Sequence, residues 1–168
     1  CIALTATSAV AQNDKNDLGF DPAKKAADGS ELSEAESAFQ RAVSGATFVG
    51  SFTVKGKERG PGGLREERYG INQVSKITGE VWRFDARVQY GGKDVTVPIP
   101  VNVKWAGDTP MIQVTNMAIP GLGDGFSARV LIYEGDYAGT WAHGKVGGHL
   151  FGRIERAKAD AKDNQKDE

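Results

Sequence analysis

The sequence predicts a mostly β protein: a roughly eight-stranded antiparallel meander forming a small barrel, closed or incompletely closed, with one short N-terminal amphipathic helix. Three observations carry this. Apolar and polar residues alternate strictly from Trp82 to Tyr90 and again from Val95 to Trp105, on either side of Gly91-Gly92, the period-two mark of two strands joined by a tight hairpin. Two further glycine-bearing turn pairs, Gly135-Asp136 and Gly144-Lys145, punctuate apolar stretches near the C-terminus. Only Ser30–Val43 shows a helical period.

Cys1–Ala11 (CIALTATSAVA) is apolar or small throughout, ends in Ala9-Val10-Ala11 and leads into polar Gln12-Asn13-Asp14. It reads as the remnant of a secretory signal, which places the chain outside the cytoplasm, periplasmic or extracellular. Two other readings remain open, a frayed terminus and a lipidated Cys1; the apolar run after the cysteine argues against the latter. Eleven residues are too few for a spanning helix, which needs about 20, and no transmembrane span is expected. Cys1 is the only cysteine, so no intramolecular disulfide can form.

Residues 12–30, rich in Asn, Asp, Lys and Ala, read as a flexible linker. Ser33 and Glu36 have the spacing of a capping box, and Leu32, Ala35, Phe39, Ala42 and Val43 then share one helical face. Residues 31–155 make the helix-plus-barrel domain. The last residues, 156–168, alternate charges without a large apolar side chain and read as a disordered, solvated tail.

Within the domain, Thr47–Val54, Arg65 to about Ile77 and Met111–Thr115 add strands to those already named. A Gly91-Gly92 turn places Val88 opposite Val95, Ala86 opposite Val97, Phe84 opposite Ile99 and Trp82 opposite Val101, each apolar residue against an apolar partner. In that register Pro98 and Pro100 fall at non-hydrogen-bonded positions, so their missing N–H groups face away from the Trp82–Tyr90 strand. An edge or gap is expected there. Turns at Gly135-Asp136 and Gly144-Lys145 put Val130 opposite Trp141 and Trp141 opposite Gly148, with Ile132, Gly139 and Leu150 in the next row. Glycines beside large aromatics suit a tightly curved barrel. The opposite face collects Leu131, Tyr133 and Phe151, and the helix is expected to cover them. Pro110, Pro120 and Gly121–Gly125 read as loops.

Composition removes several function classes. With a net charge of −1 there is no global field for nucleic acid, and Arg65-Glu66-Glu67-Arg68 with Arg83 and Arg87 make mixed charge, not a basic stripe. Gly139-x4-Gly144-Lys145 matches most of a phosphate-binding loop, but Val146 stands where Mg²⁺ needs a hydroxyl, and the segment reads as a hairpin. Gly121-Leu122-Gly123-Asp124-Gly125 lacks the βαβ surroundings of a dinucleotide fingerprint. His143 and His149, the only histidines, point to opposite faces and cannot share one metal ion without a bulge; a carboxylate-assisted site with His143 alone stays open, and a rim histidine is the preferred reading. No metal or cofactor is implied. There is no nucleophile elbow; a glycosidase-type carboxylate pair, which leaves no sequence signature, stays open.

Gly45-Ala46-Thr47-Phe48-Val49-Gly50-Ser51-Phe52 and Tyr137-Ala138-Gly139-Thr140-Trp141 resemble the glycine–aromatic strand segments of calycins, the lipocalin and avidin group. The chain departs from the lipocalin pattern where Phe48 stands in place of a tryptophan, and the later arginine has no counterpart. The barrel block is also similar to exported bacterial β proteins without an assigned activity. No functional residue carries over. Two functions follow as expectations: a module binding a small apolar or amphipathic molecule, lined by Trp82, Phe84, Ile99, Val101, Val130, Trp141 and Leu150; or a cell-envelope module contacting a protein partner through a sheet edge. An enzyme ranks third.

Overall fold

In the computed structural model, which describes residues 24–57, 63–90, 93–120 and 123–156, the alternation becomes eight consecutive strands. They are β1 Ala46–Thr53, β2 Leu64–Thr78, β3 Val81–Tyr90, β4 Lys93–Ala106, β5 Thr109–Ile119, β6 Gly123–Tyr133, β7 Asp136–His143 and β8 Val146–Arg156. Each pairs antiparallel with its neighbour in sequence and β8 pairs back onto β1, so the sheet closes into the expected barrel. The signal remnant 1–11, linker residues 12–23, Gly91-Gly92, Gly121-Leu122 and the tail beyond Arg156 lie outside the described residues.

The helix α1, Glu34–Val43, starts at the predicted capping box. Ser33 Oγ accepts from the Glu36 N–H at 3.2 Å, and Glu36 Oε2 accepts from the Ser33 N–H at 2.9 Å, so two otherwise orphaned donors are satisfied reciprocally. The second Glu36 oxygen takes a 2.5 Å ion pair from Lys76 on β2. At the other end of the helix, Ser44 Oγ accepts from the Val74 N–H at 3.0 Å, beside the β2 bulge that interrupts the β3 pairing. Val43 is fully buried, and the Phe39 ring meets Trp82 edge-on at 5.2 Å and Trp105 at 5.8 Å.

α1 therefore plugs one end of the barrel. This corrects the expected cover over Leu131, Tyr133 and Phe151, which stay on the outer surface and are 44%, 58% and 46% exposed. The reason is geometric: Ser44 and Gly45 alone join α1 to β1, which holds the helix at the rim where β1 begins. There, insertion buries Phe39 among inward-facing rings. The linker reading also needs correction at its end. Ala26 is buried, and the N–H groups of Ala27 and Asp28 donate to the Lys76 and Ile77 carbonyls at 3.0 and 3.2 Å, so residues 24–30 are docked beside β2.

The β3–β4 register is the predicted one, with Trp82 opposite Val101, Phe84 opposite Ile99 and Ala86 opposite Val97. Pro98 and Pro100 face Asp85 and Arg83 across that hairpin. On its other side β4 pairs with β5 only through Asn102–Ala106. Among the described residues no strand pairs with Lys93–Val101 there, so the barrel wall parts between β4 and β5 away from the helix end, where the prolines lack donors. Pro110, expected in a loop, is the second residue of β5 opposite Trp105. One step from the Ala106–Thr109 closing pair, that is a non-bonded position, which tolerates proline.

One hairpin register differs from the expectation. Tyr133 pairs with Asp136 across Glu134-Gly135, so Val130 faces Gly139 and Ala128 faces Trp141. Glu134 and Gly135 both have positive φ, +49° and +84°, and a tight hairpin with two such residues favours glycine second. Trp141 does lie opposite Gly148, as predicted.

Candidate ligand site in the barrel interior

The inner face is read from the pairing. Ala46, Phe48, Gly50 and Phe52 point inward from β1; their partners are Ile71, Tyr69, Glu67 and Arg65 on β2, and Gly152 and Leu150 lie opposite Gly50 and Phe52 on β8. All seven predicted lining residues lie on this inner face. Trp82, Phe84, Val101 and Leu150 belong to the buried core, whereas Ile99, Val130 and Trp141 are only partly buried and pack against it. Trp82 carries the helix plug, so it is a packing residue. The indole of Trp141 lies over Gly148 and donates to the Thr53 carbonyl at 3.1 Å, with its ring edge-to-face on Phe52 at 5.6 Å.

The interior also holds a polar cluster that the sequence reading did not single out. Tyr137 on β7, Gly152 on β8, Gly50 on β1 and Glu67 on β2 form one continuous row across four strands. Because neither glycine has a side chain, the Tyr137 ring extends over both. A Cβ on Gly50 or Gly152 would come within 2.5 or 2.8 Å of its hydroxyl. That hydroxyl donates to Glu67 Oε1 at 2.8 Å, and the Tyr69 hydroxyl donates to Oε2 at 3.2 Å. The Phe48 ring packs against Tyr137 at 5.0 Å.

Tyr69 marks where the interior opens. It shares the inner face with Glu67 and Ile71, which are 8% and 9% exposed, yet is itself 50% exposed. A residue between two buried neighbours can have that exposure only where the space in front of it admits water. The barrel is thus packed beneath the helix, and Tyr69 is the water-accessible member of the cluster.

Burial pushes the Glu67 carboxyl above its usual range, against the pull of the two tyrosine hydroxyls, and pushes both tyrosine hydroxyls upward as well. Glu67 consequently binds its proton more tightly in the folded chain. The stability this contributes is fully present below about pH 4.5, the ordinary glutamate value, and is lost as pH rises through the higher folded value. Urea unfolding across this window is expected to show that decline, and Glu67→Gln is expected to remove it. An unchanged pH slope in the variant would assign the decline to other groups.

His143 faces inward near the rim and stacks on Phe126 at 4.1 Å, while His149, one of the residues opposite β7, lies on the outer face. Among the described residues no three His, Cys, Asp or Glu side chains gather as a metal site. The Gly139–Lys145 stretch is the β7–β8 hairpin, without the strand–loop–helix that cradles phosphate. Comparison of the chain with family models, curated proteins and solved structures finds no match.

Proposed function

We propose that this protein is an exported, non-catalytic binding module that takes a small apolar or amphipathic molecule into the barrel interior. The observation that carries the reading is the half-exposed Tyr69 on the inner face, with partly buried Ile99, Met117, Val130 and Trp141 among the apolar residues around the core. A pocket with apolar walls and a few convergent polar groups is the usual form of a small-molecule site. The parting between β4 and β5, away from the helix plug, is the route of entry.

An uncharged naphthyl probe such as N-phenyl-1-naphthylamine tests this in the full chain. Saturable one-to-one fluorescence enhancement is expected, with energy transfer from tryptophan. Ile99→Trp, which fills the interior, is expected to weaken binding about tenfold, the effect of about 1.4 kcal/mol, while near-UV circular dichroism keeps its native form. Absence of saturable binding would refute the reading.

A second reading, an envelope module contacting a protein partner, draws on the stretch of β4 before Asn102, which no described strand pairs on the β5 side, and on exposed Leu131, Tyr133 and Phe151. It predicts that Leu131→Ser with Phe151→Ser abolishes capture of that partner and leaves probe binding unchanged. Retained capture would exclude the outer patch.

A further inference from the structure

We infer that Glu67, Tyr69 and Tyr137 seat the polar end of the interior ligand, and that this end is a hydrogen-bond-donating cation, an alkylammonium group in the simplest case. The inference rests on the interior-binding reading and specifies the ligand that site selects. Its basis is a count of donors and acceptors. A tyrosine hydroxyl has one hydrogen, and both hydroxyls spend it on Glu67, at 2.8 and 3.2 Å. Tyr69, the half-exposed member, therefore presents only acceptor lone pairs to solvent, while Tyr137, 3% exposed, holds Glu67 from within the core. Each carboxylate oxygen, holding one of these bonds, keeps acceptor capacity of its own. With Glu67 ionised, every polar atom of the cluster asks for a donor.

Charge points the same way. Among the described residues Glu67 forms no ion pair, and burial disfavours its negative charge, a cost that an incoming cation relieves. The half-exposed Tyr69 ring adds a face on which a cation is stabilised. A carboxylate or phosphate head would meet a like charge and no free donor here. The competing group is Arg65, exposed two residues nearer the strand start on the same inner face, which would favour an anion. The ranking of ligands by head group separates the two.

The experiment is displacement of the naphthyl probe from the full chain by decylamine, decanol and decanoate, which share one apolar body. Decylamine is expected to displace at about tenfold lower concentration than decanol, in keeping with a charge-assisted hydrogen bond, and decanoate is expected to be weakest. Glu67→Gln should raise the decylamine requirement about tenfold and remove its advantage over decanol. Should that variant fail to fold, the wild-type ranking and Tyr69→Phe, which should weaken decylamine selectively, carry the test. Decanoate ranking first, or three equal ligands, would overturn the head-group assignment while interior binding stands. Failure of the probe itself to bind would remove both.

Discussion

Replacing Phe39 with alanine is expected to lower the free energy of unfolding by about 3–5 kcal/mol. The ring is 4% exposed and meets Trp82, Phe84 and Trp105, two of them edge-on, a geometry that adds to simple area burial. Truncation removes the transfer gain and leaves a cavity at the barrel end that a closed sheet cannot collapse to fill. The site has little reserve, since the Trp82 indole N–H and Gln40 Oε1 are buried there without hydrogen-bond partners among the described residues, each costing about 1–3 kcal/mol. Phe151→Ala, on the exposed outer face, should change stability by about 0.5 kcal/mol or less. Urea unfolding with near-UV circular dichroism reads both. A loss below about 1 kcal/mol for the Phe39 variant would mean that α1 is not docked in solution.

The second large effect is expected from a single added methyl group. At Gly152 a Cβ would strike the Val49 carbonyl and come within 2.5 Å of Gly50 Cα and 2.8 Å of the Tyr137 hydroxyl. Two of these are backbone atoms of β1, which can yield only by breaking the ladder that closes the barrel. The third is the hydroxyl that holds Glu67. Gly152→Ala should therefore cost about 3 kcal/mol or more, at the upper end of overpacking effects, and should loosen Tyr137 from Glu67. The control is Gly70→Ala on β2, where the new Cβ meets only Arg87 Cβ at 3.5 Å, an ordinary contact; its effect should stay within about 0.5 kcal/mol. Equal melting temperatures for the two variants would show that β1 and β8 do not approach as described.

These two positions also separate what could be read along the chain from what could not. The β3–β4 hairpin was legible because its information is local. Partners such as Trp82 and Val101 are tied by one short turn, and the alternation on both strands admits one register that keeps Trp82, Phe84 and Ala86 on the buried side. The capping box at Ser33 was legible for the same reason, since its donors and acceptors lie three residues apart. The Pro98 and Pro100 positions followed by counting along the ladder, and so did the parting beside them. At Glu134-Gly135-Asp136 the expected Gly135-Asp136 turn gave way to Glu134-Gly135, which puts glycine second of two positive-φ residues.

The Glu67 cluster was not legible. On β2 the inner residues Arg65, Glu67 and Tyr69 alternate with Leu64, Glu66 and Arg68, so neither face stands out as apolar and the period carries no direction. Tyr137 and Glu67 are 70 residues apart and meet only because β8 closes onto β1, which places Gly50 and Gly152 side by side beneath the ring. The helix was misplaced for a related reason: its apolar face was evident, but which apolar surface it covers depends on where barrel closure leaves an unsealed end. Chain-local periodicity and turn chemistry thus settle the strands, their order and most of their pairing. Closure, which joins the first strand to the last, decides what the interior holds, because side chains from distant strands share that space only once the sheet has come full circle.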